Sequence, residues 1–261
     1  MTEVPPGNSV PQIPLRRGHD DQWTVRGAAV TALGVIGAGQ LLGLILVQLY
    51  VGWSQDWSRA FDFGASGRLP QATQQALLVW IQLIVTAIEL GLVWWIAGQG
   101  GRDRWRALGL HPVRIGFGGW AGAIATVFGV KIAATLLVTG VSNVDPKQDL
   151  APFIDLARNN QVWLGFVAAA IAAALIEELV FRGILSRTLE ATWLGFWGGA
   201  ALSSGLFAVI HFQYGPGGQF VVFALGVTFS WLRARSGSLW PAIAGHAVNN
   251  AVALLAMKAL V

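Results

Sequence analysis

No cysteine occurs anywhere in the 261 residues. Disulfides, thiolate metal sites, a cysteine nucleophile and cysteine-linked lipid anchors are therefore excluded. Charge is nearly as scarce. Lys and Arg number 17 and Asp and Glu 13, so charged residues make up 11% of the chain, against roughly 25% in an average soluble domain. Hydrophobic residues make up 54%, and the mean hydropathy is +0.58. That composition excludes an ordinary soluble enzyme and predicts an all-α polytopic membrane protein. No nucleic-acid partner is expected. The net charge of +4 is not carried on a basic run interleaved with aromatics, and Arg and Lys instead flank hydrophobic spans, where they set topology. Scarcity makes each remaining charge informative, because a charge inside a bilayer is costly and tends to be functional.

Residues 1–26 form a polar tail with Pro5, Pro6, Pro11, Pro14 and Arg16, Arg17 and Arg26, and are expected to be a disordered cytoplasmic segment. A long apolar run follows, unlike the short core of a cleaved signal peptide. A spanning helix needs roughly 20 apolar residues. Residues 27–51 contain no charge, 74–97 only Glu89, and 115–141 only Lys131. Residues 162–181 are Ala-rich and end in an acidic pair. Residues 191–232 are uncharged and long enough for two spans, broken at Tyr214-Gly215-Pro216-Gly217-Gly218; residues 236–257 make the last. About seven spans are expected, with six to eight as the range. The segment 219–232 is short enough to be re-entrant. The predicted organisation is a tail (1–26), N-terminal transmembrane helices (27–160) and a transmembrane core of the last four helices (161–261).

Seven spans place four Arg-bearing regions on one side: Arg16, Arg17 and Arg26; Arg102, Arg104, Arg106 and Arg114; Arg182 and Arg187; Arg233 and Arg235. The opposite loops are balanced or acidic, with Asp56, Arg59, Asp62 and Arg68, then Asp145, Lys147, Asp149, Asp155 and Arg158. The positive-inside rule then predicts a cytoplasmic N-terminus, in a protein of the cell membrane. Of the thirteen Trp, residues such as Trp53, Trp57, Trp94, Trp95 and Trp240 suit the interfacial belts.

The polar residues left inside the spans gather late in the chain. Glu177 and Glu178 are adjacent in an apolar helix and point about 100° apart. Glu178 and Arg182 stand at i, i+4 and are expected to pair, leaving Glu177 on another face. A partly desolvated carboxylate suits general-base work. The next span ends in Phe207-Ala208-Val209-Ile210-His211. The last carries His246 and Asn250, again at i, i+4. Helical rise allows Glu177, His211 and His246 to reach similar depths. A Glu and two His (Glu177, His211, His246) could also ligate zinc, but the HExxH helix pattern is absent; the preferred reading requires no cofactor. Glu89 and Lys131 differ in depth, so Lys131 is expected to snorkel outward. The loop 213–218 reads as an interhelical turn.

Glu177-Glu178-x-x-x-Arg182, Phe207-x-x-x-His211 and His246-x-x-x-Asn250, in this order on successive apolar segments, resemble the three motifs of the CPBP family. These are the CAAX proteases and bacteriocin-processing enzymes, also called Abi proteins. The string Glu177-Glu178-Leu179-Val180-Phe181-Arg182-Gly183 is similar to the family's first motif. The resemblance covers about residues 162–255. It implies an intramembrane endopeptidase in which Glu177, helped by His211, activates water. It implies that His246 and Asn250 stabilise the oxyanion, and that Glu178 and Arg182 orient the site. The expected partners are the bilayer and a membrane-associated peptide or protein substrate. Two other classes fit the residues less directly: a non-catalytic immunity or partner-binding protein of the same fold, and a proton-coupled carrier that uses intramembrane Glu and His.

Overall fold

The computed structural model describes residues 23–59, 69–141 and 166–259. The N-terminal tail through residue 22 lies outside them, as do the loop charges Asp62, Arg68, Asp145, Lys147, Asp149, Asp155 and Arg158. Among the described residues the chain is all-helical. Helix α1 is Val25–Ser54, α2 Gln71–Ala97, α3 the single turn Arg104–Ala107, and α4 Phe117–Val141. Four consecutive segments then run on as one helix, α5: Phe166–Ala172, Ala173–Glu178, Leu179–Ser186 and Arg187–Glu190. The first and third are π-helical, a widening frequent at functional sites. Helix α6 is Gly195–Ile210, α7 Pro216–Ser236 and α8 Trp240–Ala259.

Three helices, Val25–Ser54, Ala76–Ala97 and Phe117–Val141, are long and apolar enough to cross a membrane. Their outward faces carry exposed Leu33, Leu41 and Ile45, then Trp80, Ile84 and Ile88, then Ile132 and Leu136. Apolar residues all round a helix with few of them buried suit contact with lipid rather than water. The structure reverses one expectation. The short helix is α6, whose 16 residues rise about 24 Å at 1.5 Å each, below the roughly 30 Å hydrocarbon core. Helix α7, expected to be short, has 21 residues. Pro216 sits in its first turn, where no amide donor is needed. The helix then continues through Arg233 and Arg235 and stops at Gly237, whose φ of 69° is left-handed.

Helix α1 packs along α2, α6 along α7, and α7 along α4; α8 contacts α4, α5 and α7. The segment 102–111 ties one end of this bundle. Asp103 caps α3 by accepting from the amides of Trp105 and Arg106. The Arg102 guanidinium lies 4.2 Å from the centre of the Trp23 ring, and Trp23 Nε1 donates to the Ala107 carbonyl. Arg187 donates to the carbonyls of Arg106 and Ala107. The Leu239 amide donates to the Gly109 carbonyl, and Ser238 Oγ to that of His111. Arg233 pairs with Glu190. The N-terminal end of α1 with Arg26, the α2–α4 connection with Arg102, Arg104, Arg106 and Arg114, the end of α5 with Arg187, and the α7–α8 turn beside Arg233 and Arg235 thus meet at one end. Arg182, counted from the sequence with these loop residues, is instead buried inside the bundle, where it pairs with Glu178. Exposed Trp105, Trp193 and Trp197 lie in or beside these connections, and exposed Trp53 and Trp57 lie at the far end of α1.

A candidate hydrolytic site in the helical bundle

The third segment of α5 brings Arg182 fully inside, between α6 and α7. Its Nη1 donates to Glu178 Oε1 at 3.1 Å, and both side chains are 0% exposed. Nε and Nη2 have no hydrogen-bond partner. Instead the guanidinium sits 4.2 Å from the Phe207 ring centre and 5.4 Å from that of Phe229, where the ring faces attract it. Two glycines make this possible. A Cβ on Gly226 would stand 2.6 Å from Arg182 Nη2, and one on Gly183 would stand 2.7 Å from the Leu108 carbonyl oxygen.

Glu178 Oε1 accepts a second bond, from His246 Nδ1 at 2.9 Å. That contact holds the imidazole with Nδ1 as its donor and directs Nε2 elsewhere. Nε2 lies 3.6 Å from Glu177 Oε2. Glu177 is the more exposed of the acidic pair, with 20% of its side chain accessible against 0% for Glu178. The His246 ring stacks on Phe229, 4.8 Å apart at 14°. The same aromatic wall therefore carries Arg182 on one side and His246 on the other.

His211 caps the end of α6. Its Nδ1 is 2.7 Å from the Phe207 carbonyl oxygen. A carbonyl only accepts, so Nδ1 carries the proton and the neutral ring keeps a lone pair on Nε2. The ring packs edge-on to Phe207 at 4.5 Å and parallel to Tyr214 at 5.9 Å. Phe207 lies between the two imidazoles, 6.0 Å from His246.

Glu177, His211, His246 and Asn250 all line one cavity of about 1210 Å³. Its remaining wall is mostly apolar, as in ligand sites generally. Tyr214 and Gly217 also line it, so the α6–α7 connection is part of the chamber wall as well as a turn. Glu178 and Arg182 stand behind the wall.

Two residues were missed or misplaced by sequence reasoning. Lys131 does not snorkel outward. It lines the cavity, and its Nζ donates to Asn249 Oδ1 at 3.0 Å. Asn249 Nδ2 in turn donates to Asn250 Oδ1 at 3.1 Å. A buried acceptor on α8 outcompetes the route to the headgroups. Asn249, beside the motif residue and itself buried, gave no periodic signal that set it apart. Glu89 and Lys131 do not pair; Glu89 is buried against α1 at a second, smaller chamber.

Glu177, His211 and His246 are the zinc set considered from the sequence. Among the described residues no group of three His, Cys, Asp or Glu side chains is arranged to hold a metal. Glu178 holds His246 Nδ1 and a backbone carbonyl holds His211 Nδ1, so Nε2 is the remaining nitrogen of each ring.

Residues 159–252, just over a third of the chain, match a family model described as Rce1-like, type II CAAX prenyl endopeptidase Rce1-like. The matched segment holds Glu177, Glu178, Arg182, Phe207, His211, His246 and Asn250, and ends before the final turns of α8. Lys131 and Glu89 lie outside it. No curated protein and no solved structure gives a match.

Proposed function

We propose, on the premise that residues 159–252 are of the type II CAAX prenyl endopeptidase kind, that this chain is an intramembrane endopeptidase. It hydrolyses a peptide bond in a membrane-associated peptide or protein. The observation that carries this reading is the pairing of Glu177 with His246 Nε2 at 3.6 Å, on the wall of a large cavity that His211 and Asn250 also line.

Amide hydrolysis needs a base, a positioned water and donors aimed at the developing oxyanion. Glu177 takes a proton from water as the water oxygen attacks the scissile carbonyl. The unprotonated Nε2 of His211 orients that water. His246, between Glu178 at Nδ1 and Glu177 at Nε2, enters the step carrying a proton on each nitrogen, the second taken from bulk water beforehand. It donates from Nε2 to the oxyanion and keeps both protons when the intermediate collapses. Asn250 accepts at Oδ1 from Asn249, which assigns its Nδ2 as the donating end toward the same oxyanion. Collapse of the tetrahedral intermediate breaks the C–N bond, and the proton held by Glu177 passes to the leaving amine. Glu178 and Arg182 are positioning residues. The steps use the chain's own residues and are written without a metal. Positive-inside topology and the gathering of the Arg-bearing connections at one end support a cytoplasmic N-terminus and seven spans in the cell membrane.

The test is peptidase activity of the purified chain. Glu177→Ala and His211→Ala are expected to lower kcat by about 10²–10⁴-fold while the protein still inserts and elutes as wild type. Full cleavage by Glu177→Ala would overturn the assignment. Retention of cellular function by Glu177→Gln would point instead to the non-catalytic, partner-binding reading.

A further inference from the structure

Glu177 lines two cavities. Beside the main one lies a chamber of about 360 Å³, bounded by α1, α2, α5 and the end of α6; Ile36, Gln40, Gln82, Glu177 and Ile210 line both spaces, whereas Val85 and Glu89 line the smaller one alone. Its walls are largely apolar, except for Gln40, Gln82, Glu89 and Glu177. Glu89 is 7% exposed, and no cation pairs with it among the described residues. Its carboxylate lies over Gly39, where a Cβ would overlap Oε1. Glu89 and Glu177 face the same chamber.

Gln82, Thr86 and Glu89 stand at i, i+4 and i+7 on α2 and form one polar stripe. Gln82 Nε2 donates to Thr86 Oγ1 at 2.9 Å. The adjoining face of the same helix bears lipid-exposed Ile84 and Ile88. Gln40 and Gln82 are exposed at mid-helix, where an amide against lipid has no hydrogen-bond partners. Polar groups at that depth persist where they line water. At about 30 Å³ per molecule in the liquid, the chamber has room for several waters.

We infer that this chamber is the water supply of the site. Gln40, Gln82 and Glu89 form its wet wall, with Thr86 holding Gln82 from within the helix, and Glu89 keeps it hydrated up to Glu177. Glu89 acts through water and is a positioning residue. The N-terminal helices then serve the reaction, although they lie outside the matched segment. The inference rests on Glu177 being the base.

The experiment uses the full chain in lipid nanodiscs. Since the chain lacks cysteine, Val85→Cys, which lines the smaller chamber alone, and lipid-facing Ile88→Cys are clean single-cysteine probes. A thiol reacts as the thiolate, which forms where water reaches it. With a small hydrophilic methanethiosulfonate, Val85→Cys is expected to react and Ile88→Cys to stay inert. Adding Glu89→Leu should slow the Val85→Cys reaction by about tenfold or more. An inert Val85→Cys, or reactivity unaffected by Glu89→Leu, overturns the inference.

Cleavage of an internally quenched peptide supplies the second arm. Glu89→Leu should lower kcat by about tenfold or more at unchanged KM, with Glu89→Gln within about threefold of wild type. Wild-type kcat in Glu89→Leu, alongside a dead Glu177→Ala, overturns the water supply alone. A Glu177→Ala variant as active as wild type overturns the protease reading and the supply with it.

Discussion

Arg182 shows how one side chain organises the site. It is fully buried, bonds Glu178 through one nitrogen, and sits against the Phe207 and Phe229 rings with its other two nitrogens unpartnered among the described residues. Removing one partner of such a buried pair leaves the other charge unpaired, at a cost of about 3–5 kcal/mol. Arg182→Ala is therefore expected to lower the midpoint of thermal unfolding in detergent, followed by the fluorescence of the thirteen Trp. The double substitution Glu178→Gln with Arg182→Met removes both charges and keeps the volume. It should recover part of the lost stability without restoring cleavage, because His246 loses the carboxylate that holds Nδ1. A double variant less stable than Arg182→Ala would show that the pair is not the source of the effect.

At the scale of elements, close approach matters more than sequence pattern. Helix α5 passes the connection after α3 so closely that Gly183 faces a backbone oxygen, and backbone yields less readily than a side chain. Gly183→Val is expected to destabilise the chain by about 1–3 kcal/mol through overpacking. It should also lower activity by shifting Arg182 and Glu178. The check is thermal unfolding together with kcat; an unchanged pair of values would mean that α5 has slack here. Helix α6 shows the same dependence on neighbours. Its 16 residues end at His211, and the Phe207 carbonyl, left unpaired near a helix end, fixes the imidazole that the next turn covers with Tyr214.

For the whole molecule, the Arg-bearing connections share one end and the α6–α7 connection lies at the other. Arg235 and Gln213 are both exposed and fall at opposite ends of α7. On the cysteine-free background, Gln213→Cys in intact cells is expected to react with a membrane-impermeant thiol reagent. Arg235→Cys should react only after the membrane is opened. The reverse pattern would invert the orientation, and labelling of both from outside would exclude α7 as a span.

Much of this was legible in the sequence because a bilayer leaves few choices. Every backbone polar group needs an internal partner, so uncharged runs become helices. The end of α1 at Ser54 and the breaks at 98–116 and 211–215 follow from where apolar residues stop. The acidic pair, the i+4 Arg and the two His were visible for the same reason, since each is costly at membrane depth. Which way a side chain turns was not legible. Lys131 could reach the headgroups or Asn249, and only the position of α8 decided between them. Glu89 stood out as a charge, but its chamber exists because α1 places Gly39 across from it. Helix α7 looked short until its first turn was seen to start at Pro216. Composition and periodicity thus determined the medium, the helices and the candidate chemistry. Tertiary structure decided which polar atoms meet, because hydrogen bonds act over about 3 Å, far below the reach of any pattern along one chain.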